Sequence, residues 1–213
     1  MREALIVWGG WSGHEPEESA HLVAGLLEKH GFKVYIEDTT EAFADPSIAD
    51  MSLIVPIVTM SKIEKEEVET LTAAVRGGVG LAGFHGGMCD AFRDSVEYQF
   101  MCGGQWVAYP GGATNYRVEI TRPDDPIMQG ISSFNYHSEQ YYMHVDPSNT
   151  VLATTRFSGE RAPWVEGVVM PVVWKRRHGE GHVFYSSLGH STAEFEVPEM
   201  RTIFERGMLW AAR

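Results

Sequence analysis

The sequence predicts an α/β fold, a doubly wound and mainly parallel sheet held between two helical layers. Three observations predict it. Short continuous apolar runs are closed by glycines, as in strands buried on both faces. Helical patterns with start and stop signals separate those runs. The order up to Phe84 is β-α-β-loop-β-α-β, the signature of such a sheet.

The elements follow in order. Ala4-Leu5-Ile6-Val7-Trp8 is apolar throughout and ends at Gly9-Gly10. Pro16 suits a first helical position, and Glu15, Glu17 and Glu18 favour the positive end of the helix dipole. Leu22, Val23, Leu26 and Leu27 form one face, Lys29 and His30 sit in the last turn, and Gly31 stops the helix. Phe32 to Ile36 is a second strand. Leu53 to Val58 is a third, and Pro56 within it points to an edge position or a bulge. Ser61-Lys62-Ile63-Glu64 has capping-box spacing and predicts a helix ending at Gly77-Gly78. Val79 to Phe84 is a fourth strand.

The texture then changes. Gly86-Gly87 leads into a stretch of aromatic and small residues up to Gly112. Asn115 to Ile120, Tyr141 to Val145 and Val151 to Thr155 read as strands. Val168 to Trp174 and His182 to Ser187 flank a glycine-bearing turn, which predicts an added β-hairpin region. A last helix follows Pro198, with Met200, Ile203, Phe204, Met208 and Leu209 on its apolar side.

At roughly 150 residues per domain, 213 residues predict a single domain over 1–213. Seventeen basic against twenty-nine acidic residues give a net charge of −12. No nucleic-acid partner is expected, because neutralising phosphates takes clustered Lys and Arg. The one dense basic run, Lys175-Arg176-Arg177, is expected at a turn. Two cysteines, Cys89 and Cys102, make neither a disulfide framework nor a zinc module. The first residues do not read as a signal peptide, and no apolar run is long enough to span a membrane. A cytoplasmic location is expected.

Ligands of open parallel sheets bind beyond the carboxyl ends of the strands. Trp11, Ser12, Gly13 and His14 follow the first strand, His85 the fourth, and Gly189-His190 the last. Glu139 lies among aromatics in Tyr136-His137-Ser138-Glu139-Gln140-Tyr141-Tyr142, read as a loop before a strand. Gly83-Phe84-His85-Gly86-Gly87 has the spacing of a nucleophile elbow with His where Ser or Cys would stand. Acyl transfer through that elbow is therefore not expected, and imidazole leaves proton transfer or metal ligation. His14, His85, Glu139 and His190 are the candidate catalytic residues. His85, Glu139 and His190 are candidate ligands for a divalent metal, zinc or similar, with an open position for water or substrate. No HExxH pair occurs and none of them belongs to an HxxxH pair, so metal-free acid–base chemistry stays open. Trp11, Asp90, Arg93, Tyr141 and Trp174 are candidate substrate contacts. Cys89, four residues past His85, allows a weaker reading as a thiolate nucleophile.

Taken together, Trp8-Gly9-Gly10 with His14, Gly80 to His85, Gly103-Gly104-Gln105-Trp106, Ser138 to Tyr142, Pro171 to Trp174 and Tyr185 to His190 stand in an order that resembles ThuA-like, trehalose-utilisation proteins. The resemblance covers nearly the whole chain, to Gly207-Met208-Leu209-Trp210-Ala211-Ala212. It implies a flavodoxin-like three-layer sandwich, similar to class I glutamine amidotransferases but without their elbow cysteine, whose place His85 takes. It also implies a role in bacterial sugar catabolism, with His14, His85, Glu139 and His190 as the site. This chain has Ser138-Glu139 where many relatives have Asp-Glu.

Two functions follow as expectations. One is an enzyme acting on an oxidised, 3-keto sugar or glycoside, in which a metal or histidine holds an enolate oxygen while a base removes a proton, with lyase, isomerase or hydrolytic outcomes. The other is a non-catalytic carbohydrate-binding or regulatory protein on a retired amidotransferase fold. The expected partner is a small sugar or sugar derivative. No nucleotide cofactor is expected, and exposed aromatics are compatible with a homo-oligomer.

Overall fold

The computed structural model describes residues 2–213. The first half comprises β1 (Arg2–Gly10), α1 (Pro16–Lys29), β2 (Phe32–Glu37), β3 (Leu53–Thr59), α2 (Lys65–Arg76) and β4 (Gly80–Phe84). Next come α3 (His85–Cys89), α4 (Val96–Cys102), β5 (Gly104–Ala108), β6 (Ala113–Ile120), β7 (Phe134–Glu139), β8 (Tyr142–Val145) and β9 (Thr150–Arg156). β10 (Val169–His178) and β11 (Gly181–Ser186) form a hairpin, and α5 (Pro198–Ala211) is the last helix.

The main sheet runs β2-β1-β3-β4-β11-β10-β9-β6-β7. Its pairings from β2 to β11 are parallel. Those from β11 to β7 are antiparallel. β5 and β8 pair as a separate antiparallel ribbon. With β11 counted as the fifth parallel strand, the first half has the order 2-1-3-4-5 of flavodoxin-like folds. The direction of winding reverses between β1 and β3, and such a switch point opens a crevice at the strand ends.

Strand periodicity sorts the core into two layers. On one face Ala4 and Ile6 of β1, Val55 of β3 and Phe184 of β11 meet Val23 and Leu27 of α1 and Ile203, Phe204 and Met208 of α5. On the other, Leu5, Val7, Ile54, Val183 and Tyr185 meet Leu71 and Val75 of α2, Met88, and Tyr98 and Met101 of α4. Each such large side chain contributes about 1.5–3 kcal/mol on full burial, so the two faces together hold the helices on the sheet.

Three sequence expectations are corrected. Pro56 is in an interior strand, paired with Val7 of β1. The ladder to β4 stops at Ile54↔Leu81, so β3 is unpaired on that side at Pro56, where a missing N–H is tolerated. The second helix begins at Lys65, not near Ser61: the Glu67 carboxylate accepts the Glu64 N–H at 2.8 Å and caps it there. Lys175-Arg176-Arg177 lies within β10 rather than at a turn, because Lys175 pairs with Asp125 at 2.5 Å and Arg176 with Asp146 at 3.2 Å. The turn itself is only Gly179-Glu180. Among the described residues, no helix is long and apolar enough to cross a membrane.

Candidate functional site

Three strand ends at the switch point supply the first groups. After β1 the chain makes a short turn of 3-10 helix over Ser12–His14, anchored where the Trp11 N–H donates to the Thr59 carbonyl at 3.0 Å. His14 Nδ1 lies 2.9 Å from the Thr59 hydroxyl, at the end of β3. His85 directly follows β4 with φ +46°, the sharp left-handed bend of an elbow. The Tyr185 hydroxyl donates to its carbonyl at 3.0 Å and fixes the bend. Gly86 is needed next, since a Cβ there would stand 2.7 Å from His14 Cε1. Glu139 is the last residue of β7, which corrects the expectation of a loop. His190 stands beyond β11.

These four converge. His85 Nε2 is 3.2 Å from Glu139 Oε2 and 3.3 Å from His190 Nδ1, and His190 Nδ1 is 3.5 Å from the same Glu139 oxygen. The His14 ring lies 4.7 Å from that of His85 and 4.9 Å from that of His190. One donor atom from each of the four lies within 4.8 Å of all the others. His85 is 1% exposed at its side chain, Glu139 13% and His190 29%, so the cluster opens to solvent on the Glu139–His190 side.

The hydrogen-bond chemistry is constrained. His85 Nδ1 is 2.8 Å from the Ser187 carbonyl, which can only accept, so Nδ1 carries the hydrogen. In a neutral ring Nε2 then presents a lone pair to a carboxylate and to another imidazole. A positive centre among them, an added proton or a metal, makes the arrangement attractive. The three edges of 3.2, 3.3 and 3.5 Å also match one face of a tetrahedron. Ligand bonds of about 2.0–2.1 Å give edges of about 3.3–3.4 Å. Three imidazoles and a carboxylate suit divalent transition metals. Ser187 and Thr59 hold the opposite ring nitrogens of His85 and His14, as outer partners of ligating histidines do.

The electrostatics follow from packing. Burial pushes the Glu139 carboxyl up, but the His190 hydrogen bond, the His85 hydrogen bond once Nε2 takes up a proton, and the charge of both histidines outweigh it and hold it well below the usual range. Burial, then the neighbouring His85 and His190 charges, lower His14 to about 3. The Glu139 hydrogen bond raises His190 against the opposing effect of burial. Two carboxylates clamp the His190 loop. Glu194 accepts the N–H groups of Gly189 at 3.1 Å and His190 at 3.0 Å, and the Tyr136 hydroxyl. Glu15 accepts the Thr192 N–H at 3.0 Å and its hydroxyl at 2.6 Å.

Tyr141 stacks on His85 with ring centres 4.1 Å apart. Trp11, 45% exposed, meets His14 edge-on at 4.7 Å. Buried Asp90 holds Arg93 through two hydrogen bonds of 2.6 and 2.9 Å, and the guanidinium lies over Trp106. Trp174 is not at the site. It is fully buried, with its indole N–H on the Cys102 carbonyl at 3.0 Å, so it is core and offers no face to a substrate. Cys89 is also corrected: it is buried, and burial pushes its thiol well up, against a thiolate role. Cavities of about 420, 510 and 610 Å³ lie away from the cluster.

Thr59 and Glu194 are the residues that sequence reasoning missed. Thr59 was within reach, being one residue past the expected end of the third strand, and nothing local marks Glu194. Glu15 and Trp106 were named, but only for the helix dipole and for the Gly103–Trp106 motif.

The model of a family described as ThuA, trehalose utilisation, matches residues 3–211. A ThuA-like protein from Bacteroides uniformis superposes with TM-score 0.79 at 19% identity, over 99% of this chain and 91% of that one. A ThuA-like protein from Parabacteroides merdae gives 0.79 at 18%, over 99% and 89%. A β-galactosidase from Bacillus circulans sp. alkalophilus gives 0.62 at 13%, over 99% of this chain and 30% of that one, a likeness of fold. A comparison with curated proteins returns no match.

Proposed function

The chain belongs to the ThuA, trehalose-utilisation family, and from that premise we propose that it is a sugar-catabolism enzyme acting on an oxidised, 3-keto sugar or glycoside at a divalent metal, zinc or similar. One observation carries the reading: the lone pair of His85 Nε2, oriented by Ser187, is aimed at the Glu139 carboxylate and His190. His85, Glu139 and His190 would hold the ion, with His14 beside them as the fourth donor. When bound, the ion supplies a Lewis acid for the oxygen of a keto group, which makes the adjacent C–H acidic.

The chain's own groups do the rest. Glu139 offers Oε2 to the two histidines, and its other carboxylate oxygen is left for the substrate proton. A pKa held well below the usual carboxylate range keeps this carboxylate ionised at neutral pH. Trp11 flanks the opening with an apolar face suited to a sugar ring, and Arg93 brings donors held in place by Asp90. Lyase, isomerase and hydrolytic outcomes share this first proton removal.

Turnover of 3-keto-glucosides by the metal-loaded protein, compared with His85→Ala and His190→Ala, tests the reading. Loss in both variants agrees with it, and wild-type rates in both overturn it. A second reading, a non-catalytic carbohydrate-binding protein, draws on the opening of the cluster on the Glu139–His190 side, with cavities of about 420 and 610 Å³ elsewhere. Binding of keto-sugars without turnover in calorimetry would favour it.

A further inference from the structure

We propose that the hollow between the β10–β11 hairpin tip and the helices α2 and α4 is a second binding site, for the phosphate monoester of a small sugar. It is remote from the histidine cluster. His85 follows the carboxyl end of β4, whereas Gly181 opens β11, which runs parallel to β4. The hairpin tip is therefore at the other end of the sheet, and the proposal stands apart from the function proposed above.

The hollow has a volume of about 610 Å³ and is lined by Arg76, Arg176, Arg177, His178 and Phe100. In a chain of net charge −12, the two guanidinium groups of Arg76 and Arg176 around one cavity need a reason, while the Arg177 side chain alternates to the other face of β10 with Lys175 and its partner His182. Arg176, 9% exposed, spends Nη1 on Asp146 at 3.2 Å and Asn149 at 3.3 Å, and its buried Nε has no partner among the described residues. His178, also 9% exposed, has a buried Nε2 without a partner. Leaving buried polar nitrogens unpaired is costly, and both belong to side chains that line the hollow, so a ligand that turns them toward it satisfies them. Phe100 ties the two side chains together, meeting the His178 ring edge-on at 6.1 Å with the Arg176 guanidinium 5.7 Å from its ring centre. Arg177 is exposed, with Glu180 only at 4.0 Å.

The wall is built rather than incidental. Gly179 has φ +61°, and a Cβ there would lie 2.6 Å from the Arg76 carbonyl oxygen, so glycine lets the tip close on α2. The Glu180 N–H donates to that same carbonyl at 3.0 Å. The remaining lining fits the other half of the ligand. The Phe100 ring is 63% exposed, an apolar face for a sugar ring. Glu69 and Glu97 stand at the exposed rim as acceptors for its hydroxyls. Forked guanidinium donors suit the phosphate oxygens.

The test is calorimetry and amide-shift mapping with glucose 6-phosphate, inorganic phosphate and glucose as probes. Glucose 6-phosphate is expected to bind and shift amides of the hairpin tip and the last turn of α2. Inorganic phosphate should bind more weakly and glucose not at all. Arg76→Ala alters an exposed side chain, so its melting curve should match the wild type while affinity falls about tenfold or more, and Arg177→Ala, on the other face of β10, should leave affinity within about twofold. Phe100→Ala should remove the preference for the sugar phosphate over phosphate alone. No binding up to ~10 mM, affinity unchanged in Arg76→Ala, or shifts confined to His85 and His190 would each overturn the proposal.

Discussion

The carbonyl oxygen of Ser187 lies 2.8 Å from Nδ1 of His85 and thereby decides what the opposite nitrogen can do. With the hydrogen committed to Ser187, Nε2 is an electron-pair donor in a neutral ring. It stands at the centre of the cluster, between a carboxylate and a second imidazole. A backbone atom one residue past β11 thus sets the chemistry of a side chain at the end of β4.

Glu194 is the support behind His190. Glu194→Ala leaves the Gly189 and His190 N–H groups and the Tyr136 hydroxyl without their acceptor. Such losses cost about 1–3 kcal/mol in stability. Zinc affinity should fall at least about tenfold. Glu194→Gln keeps an acceptor oxygen and should lie between the two. Denaturant melts with zinc titration check this, and equal zinc affinity in wild type and Glu194→Ala would refute it.

Gly86 has no room for a methyl group. Gly86→Ala places Cβ 2.7 Å from His14 Cε1 and 3.0 Å from the Thr59 methyl. The variant should lose about 1–3 kcal/mol of stability, as overpacking does, and bind metal more weakly because His14 is displaced. Thermal denaturation and metal titration are the measurements.

His14 makes the metal-free protein sensitive to acid in a definite direction. The unfolded chain takes up this proton near the ordinary histidine value of 6.5, whereas the folded chain does so only at about 3. Between those values the unfolded state binds more protons, so stability falls as pH drops from 6.5 towards 3. Above that window the group contributes no slope. His14→Gln should flatten this part of the profile, by up to about 1.4 kcal/mol per pH unit. Urea denaturation in a chelator at several pH values reads the difference, and parallel profiles would count against the assignment.

Much of the architecture was legible because strand and helix periodicities are local. Ala4 to Val7 and Leu53 to Val58 read as buried strands from their apolar runs, and Gly77 and Pro198 mark helix ends correctly. The meeting of the four candidate residues was legible for a topological reason: side chains at the strand ends of such sheets gather at one rim. Pro56 misled because its tolerance depends on where the ladder to β4 stops, a long-range fact. Trp174 misled because composition cannot tell a core indole from an exposed one. The Glu194 clamp was illegible, since its partners include Tyr136, 58 residues away.

The two tryptophans separate core from site. Trp174→Phe should destabilise the protein by roughly 1–3 kcal/mol, through lost packing and the orphaned Cys102 carbonyl. It should leave sugar affinity unchanged. Trp11→Ala, at a half-exposed position, should do the reverse. Melting curves and sugar titrations on both variants give the comparison.

The most direct measurement is the metal content of the purified protein, reconstituted with zinc and dialysed, beside His85→Ala and His190→Ala treated alike. The account predicts about one equivalent per wild-type chain and little in either variant. A wild-type protein that retains no divalent metal, or variants that retain as much as it does, would contradict it.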